Sequence, residues 1–260
     1  FRLMFNEPPA ADGELAPISA ADTTESGNNF YLRVRNTSSN IFYLAKFDGG
    51  ARKVGLGSKS TLSAPTAQFD AGKWVDVTAV CNIDPTDSSK GTMTLYMHTP
   101  GSITDNSDND TKKDYVILEK TFTPPAYLDG ANNHAPFYLE IGKSCPRAMN
   151  WWLDDVNMYE PNSFISSMSV TEDVAAAGPV EVTFNHGADV RTLKAENISF
   201  VGADGETVGA SKVEFDPGDL SKISITPEKE LAGKTEYKLD LSKVTDWVGT
   251  GALPVTFTSG

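Results

Sequence analysis

Short runs of alternating apolar and polar residues recur along the chain, and almost nowhere does an apolar stripe repeat at helical spacing. A period of two is that of a pleated strand, whose successive side chains point to opposite faces. In the first part the runs include FRLMF (1–5), NFYLRVRN (29–36), NIFYLAKF (40–47), KWVDVTAVCNI (73–83) and TMTLYMHT (92–99). DYVILEKTF (114–122), PFYLEIG (136–142) and WWLDDVNMY (151–159) continue the series. Gly, Pro, Asn and Asp clusters separate them, and TDNSDNDTKKD (104–114) reads as a polar loop. Eight or more antiparallel strands with long connections predict an all-β chain that opens with a jelly-roll β-sandwich.

EPNSFISS (160–167) reads as a linker dividing residues 1–161 from 162–260. Beyond it the strands shorten: FISSMSV, VEVTFN, NISFVG, SKVEF, KISITP, EYKLDLS and PVTFTS, with turn signals such as GADGE and DPGD between them. Seven such segments predict an immunoglobulin-like sandwich of about 100 residues. This half contains no cysteine, so the fold there lacks an inter-sheet disulfide.

Charge narrows the partners. The chain has 260 residues, 22 basic and 35 acidic, for a net charge of −13. Residues 1–161 hold 14 and 20 (−6), and residues 162–260 hold 8 and 15 (−7), so the acidity is shared rather than held in a tail. Nucleic acid and anionic lipid need a basic footprint and are not expected partners. No apolar run reaches the roughly 18 residues of a membrane span. The chain opens on FRLMF as if a strand were already under way, so an export signal and some upstream sequence are expected before it. The expected location is outside the cytoplasm: periplasm, cell surface or extracellular space.

Cys81 follows Val75, Val77 and Ala79 at period two, which predicts a buried free thiol. A bridge to Cys145 is the open alternative. Two cysteines make neither a disulfide-rich scaffold nor a multi-cysteine metal site.

Residues 29–160 resemble the concanavalin A-like lectin/glucanase superfamily in its laminin-G-like jelly-roll branch. GKWVDVTAV followed by GTMTLYMHTPGS is similar to that family's Trp-led strand and "LYvdG" hairpin. FYLEIGKS and WWLDDVNMYE resemble its later strands and its closing "iDdvriy" strand. His98 and Pro100 stand where many relatives carry DG. Residues 164–258 resemble bacterial Ig-like domains, which serve as spacers in secreted proteins. The stretch LAGKTEYKLDLSKVTDWVGTGALPVTFTS carries their ending.

The stretch NWWLDDVNMYE (150–160) sets two tryptophans beside two carboxylates, as a sugar-cleaving site would. Glycoside hydrolysis needs two facing carboxyl groups about 5–9.5 Å apart. On a strand Asp154 and Asp155 point to opposite faces, and so do Trp151 and Trp152. Glucanases of the resembled superfamily carry E-x-D-x-x-E or E-x-D-x-E; neither occurs here, and Glu140 has no acidic partner two residues on. The chain is therefore expected not to be an enzyme. Asp154 reads as an acceptor fixing a corner of the sandwich, with a ligand or metal role as the alternative. Trp74 and Trp152 read as packing residues, Trp247 as a plug at one end of the second domain, and Trp151, on the face opposite Trp152, as the better candidate for exposure.

Asp105, Asp108 and Asp110 lack the D-x-[DN]-x-[DN]-G spacing of an EF-hand. His98, His134 and His186 are far apart and show no zinc spacing. No metal site and no cofactor are expected; calcium stays open, because lectin-like jelly rolls often hold it. A nucleophile elbow, phosphate loop and dinucleotide fingerprint are absent from the sequence. The loop PPAYLDGANNHAP (124–136) is the ligand candidate. Tyr127 offers a ring face, and Asp129, Asn132, Asn133 and His134 offer polar groups for sugar hydroxyls, with Trp151 as a further platform. An ordinary surface loop is the competing reading. The leading expectation is a non-catalytic carbohydrate-binding or adhesive module with an Ig-like spacer. A structural or protein-binding module is the alternative, and a glycoside hydrolase ranks last.

Overall fold

The computed structural model describes residues 2–5, 29–35, 41–48, 53–56, 66–70, 73–84, 86–87, 89–105, 111–124, 138–144, 151–154 and 163–260. The chain divides into two compact units, Phe1–Asn157 and Met158–Gly260. Both are built of strands, so the chain is all-β.

Among its described residues the first unit has ten strands. They are β1 (Arg2–Phe5), β2 (Asn29–Arg35), β3 (Ile41–Asp48), β4 (Lys53–Leu56), β5 (Thr66–Phe69), β6 (Trp74–Ile83), β7 (Gly91–Asp105), β8 (Thr111–Phe122), β9 (Tyr138–Ser144) and β10 (Trp151–Asp154). The hydrogen-bonded order is β10-β1-β6-β7-β5-β4-β3-β2-β9, with β8 also on β7. The long hairpin of β7 and β8 belongs to both ends of this path. Residues 91–98 of β7 pair with β6, and residues 103–105 pair with β5, while β8 follows both halves. Sheets that share a bent strand in this way make a sandwich-like layer pair.

The bend has a local cause. Between His98 and Ile103, β7 advances five residues while β8 advances two, from Tyr115 to Lys113, so three extra residues bulge out of β7. Gly101 takes φ +59°, open to glycine at little cost, and its N–H donates to Asp114 Oδ1 at 2.8 Å. Two expectations change here. LYMHTPGS is a bulged strand and not a hairpin tip. The loop expected over 104–114 is also shorter, because β7 runs to Asp105 and β8 starts at Thr111.

The β6–β8 meander buries one face against the core. Val77, Met97 and Val116 form one cross-strand row, and Leu95 and Leu118 lie side by side in the next. On the middle strand the other face is buried too, at Thr94, Tyr96 and His98. Cys81 departs from expectation: it is exposed, and its thiol is free. The cover over β6 closes Val75 and Val77, thins at Ala79 and ends before Cys81. Alternation tells which side a residue faces, not how far the opposing layer extends. Cys145 lies outside the described residues.

Among its described residues the second unit has seven strands: β11 (Ser166–Ser167), β12 (Val180–Phe184), β13 (Ser199–Gly202), β14 (Thr207–Asp216), β15 (Asp219–Pro227), β16 (Glu236–Asp240) and β17 (Val255–Thr258). Their order is β11-β12-β15-β14-β13-β16-β17. β14 serves both sheets, pairing β13 through Thr207–Gly209 and β15 from Ala210 onward, with a register shift between Ala210 and Lys212. The segment after β11 crosses over as well: Thr258 N–H donates to Thr171 O and Val174 N–H to Thr258 O, covering the edge of β17. Phe200, Ile225, Leu239 and Phe257 fill the space between the sheets. The hydroxyl of buried Tyr237 accepts from Ala232 N–H at 3.0 Å, a bond of the kind made by the tyrosine corner of immunoglobulin folds. This unit is an Ig-like sandwich.

A polar cleft at the end of the meander

The turn joining β6 to β7 is held by its own side chains. Asp84 N–H donates to Lys90 O at 2.9 Å, which closes the loop. Asp84 Oδ1 accepts from the Thr86 N–H at 2.8 Å and from Thr86 Oγ1 at 2.7 Å. Three residues on the pattern repeats: Asp87 Oδ1 accepts from the Ser89 N–H at 3.1 Å and from Ser89 Oγ at 2.5 Å. Asp and Ser/Thr form such turns because their short side chains reach the backbone two residues on. Lys90 Nζ lies 2.8 Å from Asp87 Oδ2. Both carboxyls are held below their ordinary range, Asp84 chiefly by the Thr86 hydroxyl and Asp87 chiefly by Lys90.

Beside this turn runs the end of β8. The register sets Asn82 opposite Thr92 and Thr92 opposite Thr121, a polar row across three strands. Next to it Phe122 pairs with Gly91, where a Cβ would come within 2.7 Å of the Phe122 ring. Glycine is what lets the ring lie against the neighbouring strand. Between turn and strand end opens a cleft of about 770 Å³, lined by Asn82, Asp84, Ser89, Lys90, Gly91, Thr92, Thr121, Phe122 and Thr123. The lining carries hydroxyls, an amide, a carboxylate, an ammonium and one aromatic ring, and its surface is divided about evenly between polar and apolar atoms. Sequence reading missed this site. The doubled D-x-[ST] turn was visible, but its opposite wall comes some thirty residues later and only strand register brings the two together.

The sequence candidates fare differently. Tyr127, Asp129, Asn132, Asn133 and His134 lie outside the described residues; their loop leaves the chain just after Thr123 on the cleft wall. Trp151 lies in β10 opposite Phe5, on the strand at one end of the sheet path. Trp152, Met4 and Trp74 share one register row, and Asn82 is eight residues further along β6. At roughly 3.3 Å per residue that is about 26 Å, so Trp151 and the cleft are not one site. Trp74 is half-buried, and Trp247 is buried with the Arg191 guanidinium 5.7 Å from its ring centre.

Register also brings acids together from distant strands. Asp154 lies opposite Arg2, Arg2 opposite Asp76, Asp76 opposite His98 and His98 opposite Tyr115. Asp76 and Asp154 therefore stand on either side of the Arg2 position in the register. Asp76 Oδ2 is 3.5 Å from His98 Nδ1. Glu140 likewise lies opposite Arg33. Among the described residues no three His, Cys, Asp or Glu side chains group as a metal site would. Of the acidic loop read for calcium, residues 106–110 lie outside the described residues.

No curated protein matches the chain. Among solved structures, the N-terminal part of the bacterial S-layer protein SbsC aligns with 19% identity and a TM-score of 0.32. That alignment covers 38% of this chain and 24% of the other, so the chain spans about a quarter of that structure's length. Residues 163–259, which make up nearly all of the second unit, match the family described as bacterial Ig-like domain.

Proposed function

We propose that this chain is a non-catalytic glycan-binding module of an exported bacterial protein, in which the first unit carries the sugar and the Ig-like unit acts as a spacer. The cleft at the end of the β6–β8 meander carries the reading. Its volume of about 770 Å³ falls in the range of small-ligand sites, and its lining combines hydroxyl, amide and charged groups with apolar surface in about equal measure. Hydrogen-bonding groups beside a single ring suit the mixed polar and apolar faces of a sugar. The laminin-G-like jelly-roll reading of the first unit belongs to this proposal and is supported by the long shared hairpin and the two-ended sheet.

The test is binding of the purified chain to a broad glycan and polysaccharide panel, with and without calcium. Saturable binding that weakens at least tenfold in Asn82→Ala and in Thr121→Val supports the reading. Silence across the panel in both conditions overturns it. A structural or protein-binding role is the second reading, and one observation favours it. Ile165 and Leu253 are large apolar side chains left 46% and 53% exposed on the Ig-like unit, and the Leu253 N–H bonds to the O of Phe164, the residue before Ile165, at 2.9 Å.

A further inference from the structure

We propose that the Ig-like unit pairs with the Ig-like unit of a second copy of this chain, edge to edge, through β14 from Lys212 to Phe215. The inference stands apart from the glycan reading, because every residue it uses lies in the second unit. β14 passes from one sheet to the other at Ser211, where its register shifts. Up to that point its outer side is occupied, last by the Ala210 N–H donating to Ile198 O at 3.3 Å. Beyond it, Lys212, Val213, Glu214 and Phe215 pair with Thr226, Ile225, Ser224 and Ile223 of β15, and among the described residues no strand lies on their other side. The remaining edges are short or covered: β11 has two residues, and Thr171 and Val174 bond to Thr258 of β17.

Burial fades toward this edge. Val180 and Ile225 are buried, and Val213, next in their row, is half-buried. Val182 and Ile223 are buried, and Phe215, next in theirs, is half-buried. An antiparallel strand laid on β14 would bond its open backbone groups and carry both apolar rows onward. On the opposite face stand Lys212 and Glu214, their side chains 62% and 56% exposed. A lysine on a strand edge ordinarily blocks pairing. Here Lys-Val-Glu is its own complement. With a two-fold axis at Val213, Lys212 faces the second copy's Glu214, Glu214 faces its Lys212, and Val213 faces Val213. An axis at Glu214 would set that carboxylate against itself, so charge selects the first register. Backbone bonds and apolar rows drive the contact, while the exposed charges, each pair worth little alone, choose its alignment. A two-fold pair also closes on itself, so no filament grows from it.

The experiment is sedimentation equilibrium of the full chain at concentrations up to about 1 mM, where even a weak pair is populated. Salt at about 150 mM, with a Debye length of about 8 Å, screens the net charge of −13 beyond the contact. Expected is a reversible monomer–dimer equilibrium. Lys212→Glu and Glu214→Lys each turn two facing pairs into like charges, and each weakens self-association at least about fourfold. An equimolar mixture of the two variants regains the parent's association to within about twofold, and so does the double variant Lys212→Glu/Glu214→Lys. Recovery in the mixture assigns the loss in each variant to the facing charges and not to a damaged fold. A parent that stays monomeric at every concentration would overturn the proposal. Self-association that neither single reversal weakens would overturn it too, as would losses that the mixture does not restore.

Discussion

His186 Nε2 lies 3.1 Å from Asp246 Oδ2 in the Ig-like unit, and the Asp246 side chain is 1% exposed. The other oxygen of Asp246 accepts from the Val248 N–H at 3.0 Å and the Thr250 N–H at 2.8 Å. One carboxylate thus ties the turn Thr245–Gly251 to His186, two residues past the end of β12. The Phe164 ring stacks on Phe184 at 4.6 Å and lies tilted against His186 at 5.0 Å, so aromatics pack beside the polar tie.

Removing that carboxylate leaves two backbone donors and an imidazole buried without their acceptor. Asp246→Ala is expected to cost the second unit roughly 2–4 kcal/mol, since a buried, multiply bonded carboxylate is expensive to delete. Asp246→Asn, which keeps one acceptor oxygen, is expected to cost less. Urea denaturation of both variants, followed through Trp247 fluorescence, checks the order. Equal stability of Asp246→Ala and the parent would show that the tie contributes nothing.

Gly91 is a packing requirement of the cleft wall. An added Cβ would meet Phe122 Cζ at 2.7 Å, Phe122 Cε1 at 2.8 Å and Pro124 Cγ at 3.1 Å. Gly91→Ala is expected to destabilise the first unit by about 1–3 kcal/mol, as overpacking does. Phe122→Leu in the same chain should recover part of that loss, a coupling that a double-mutant cycle measures. Additive losses would mean that the ring does not rest on Gly91.

The Cys81 thiol should behave as a sluggish nucleophile despite its exposure. Desolvation pushes its pKa up to about 11, so near pH 7.5 only a minute fraction is thiolate, the reactive form. Iodoacetamide labelling is expected to be slow at neutral pH and to rise about tenfold per pH unit toward pH 10. Fast labelling at pH 7.5, followed by mass spectrometry of the Cys81 peptide, would contradict the shift.

Asp219 ties stability to acid pH. Its carboxyl is held below its ordinary 3.8, first by the Ser221 hydroxyl and then by Lys222. A depressed folded pKa means that the unfolded chain binds the proton more readily. The contribution is therefore complete above about pH 5 and is lost as pH falls below the unfolded value toward the folded one. Solvent screens the exposed Lys222 partner, so the effect is small. Asp219→Asn should flatten the loss of thermal stability between pH 4 and pH 2.5 relative to the parent; an unchanged acid limb would remove Asp219 from the account.

The strand pattern of the chain was legible because burial on one face imposes period two. β6, β8 and β12 stand close to where the alternation placed them, and β12 reads buried–exposed throughout. β4 and β5 escaped notice: four residues each, KVGL and TAQF, are too short to show a period. The continuation of β7 past Pro100 was hidden because Thr99–Ser102 look like a turn, and only pairing on both sides makes them a bulge.

By itself the sequence determined that the chain is all-β, that its second half is an Ig-like sandwich, and that no E-x-D-x-x-E carboxylate pattern is present. These follow from local alternation, turn residues and motif spacing, which neighbours along the chain specify. Tertiary structure alone decided that Asn82, Thr92 and Thr121 share a row, that the Asp84 turn faces the end of β8, that Cys81 is exposed, and that an arginine position separates Asp76 from Asp154. Those relations depend on register between strands far apart in the chain, and a shift of one residue in register would carry a strand's side chains to the opposite face.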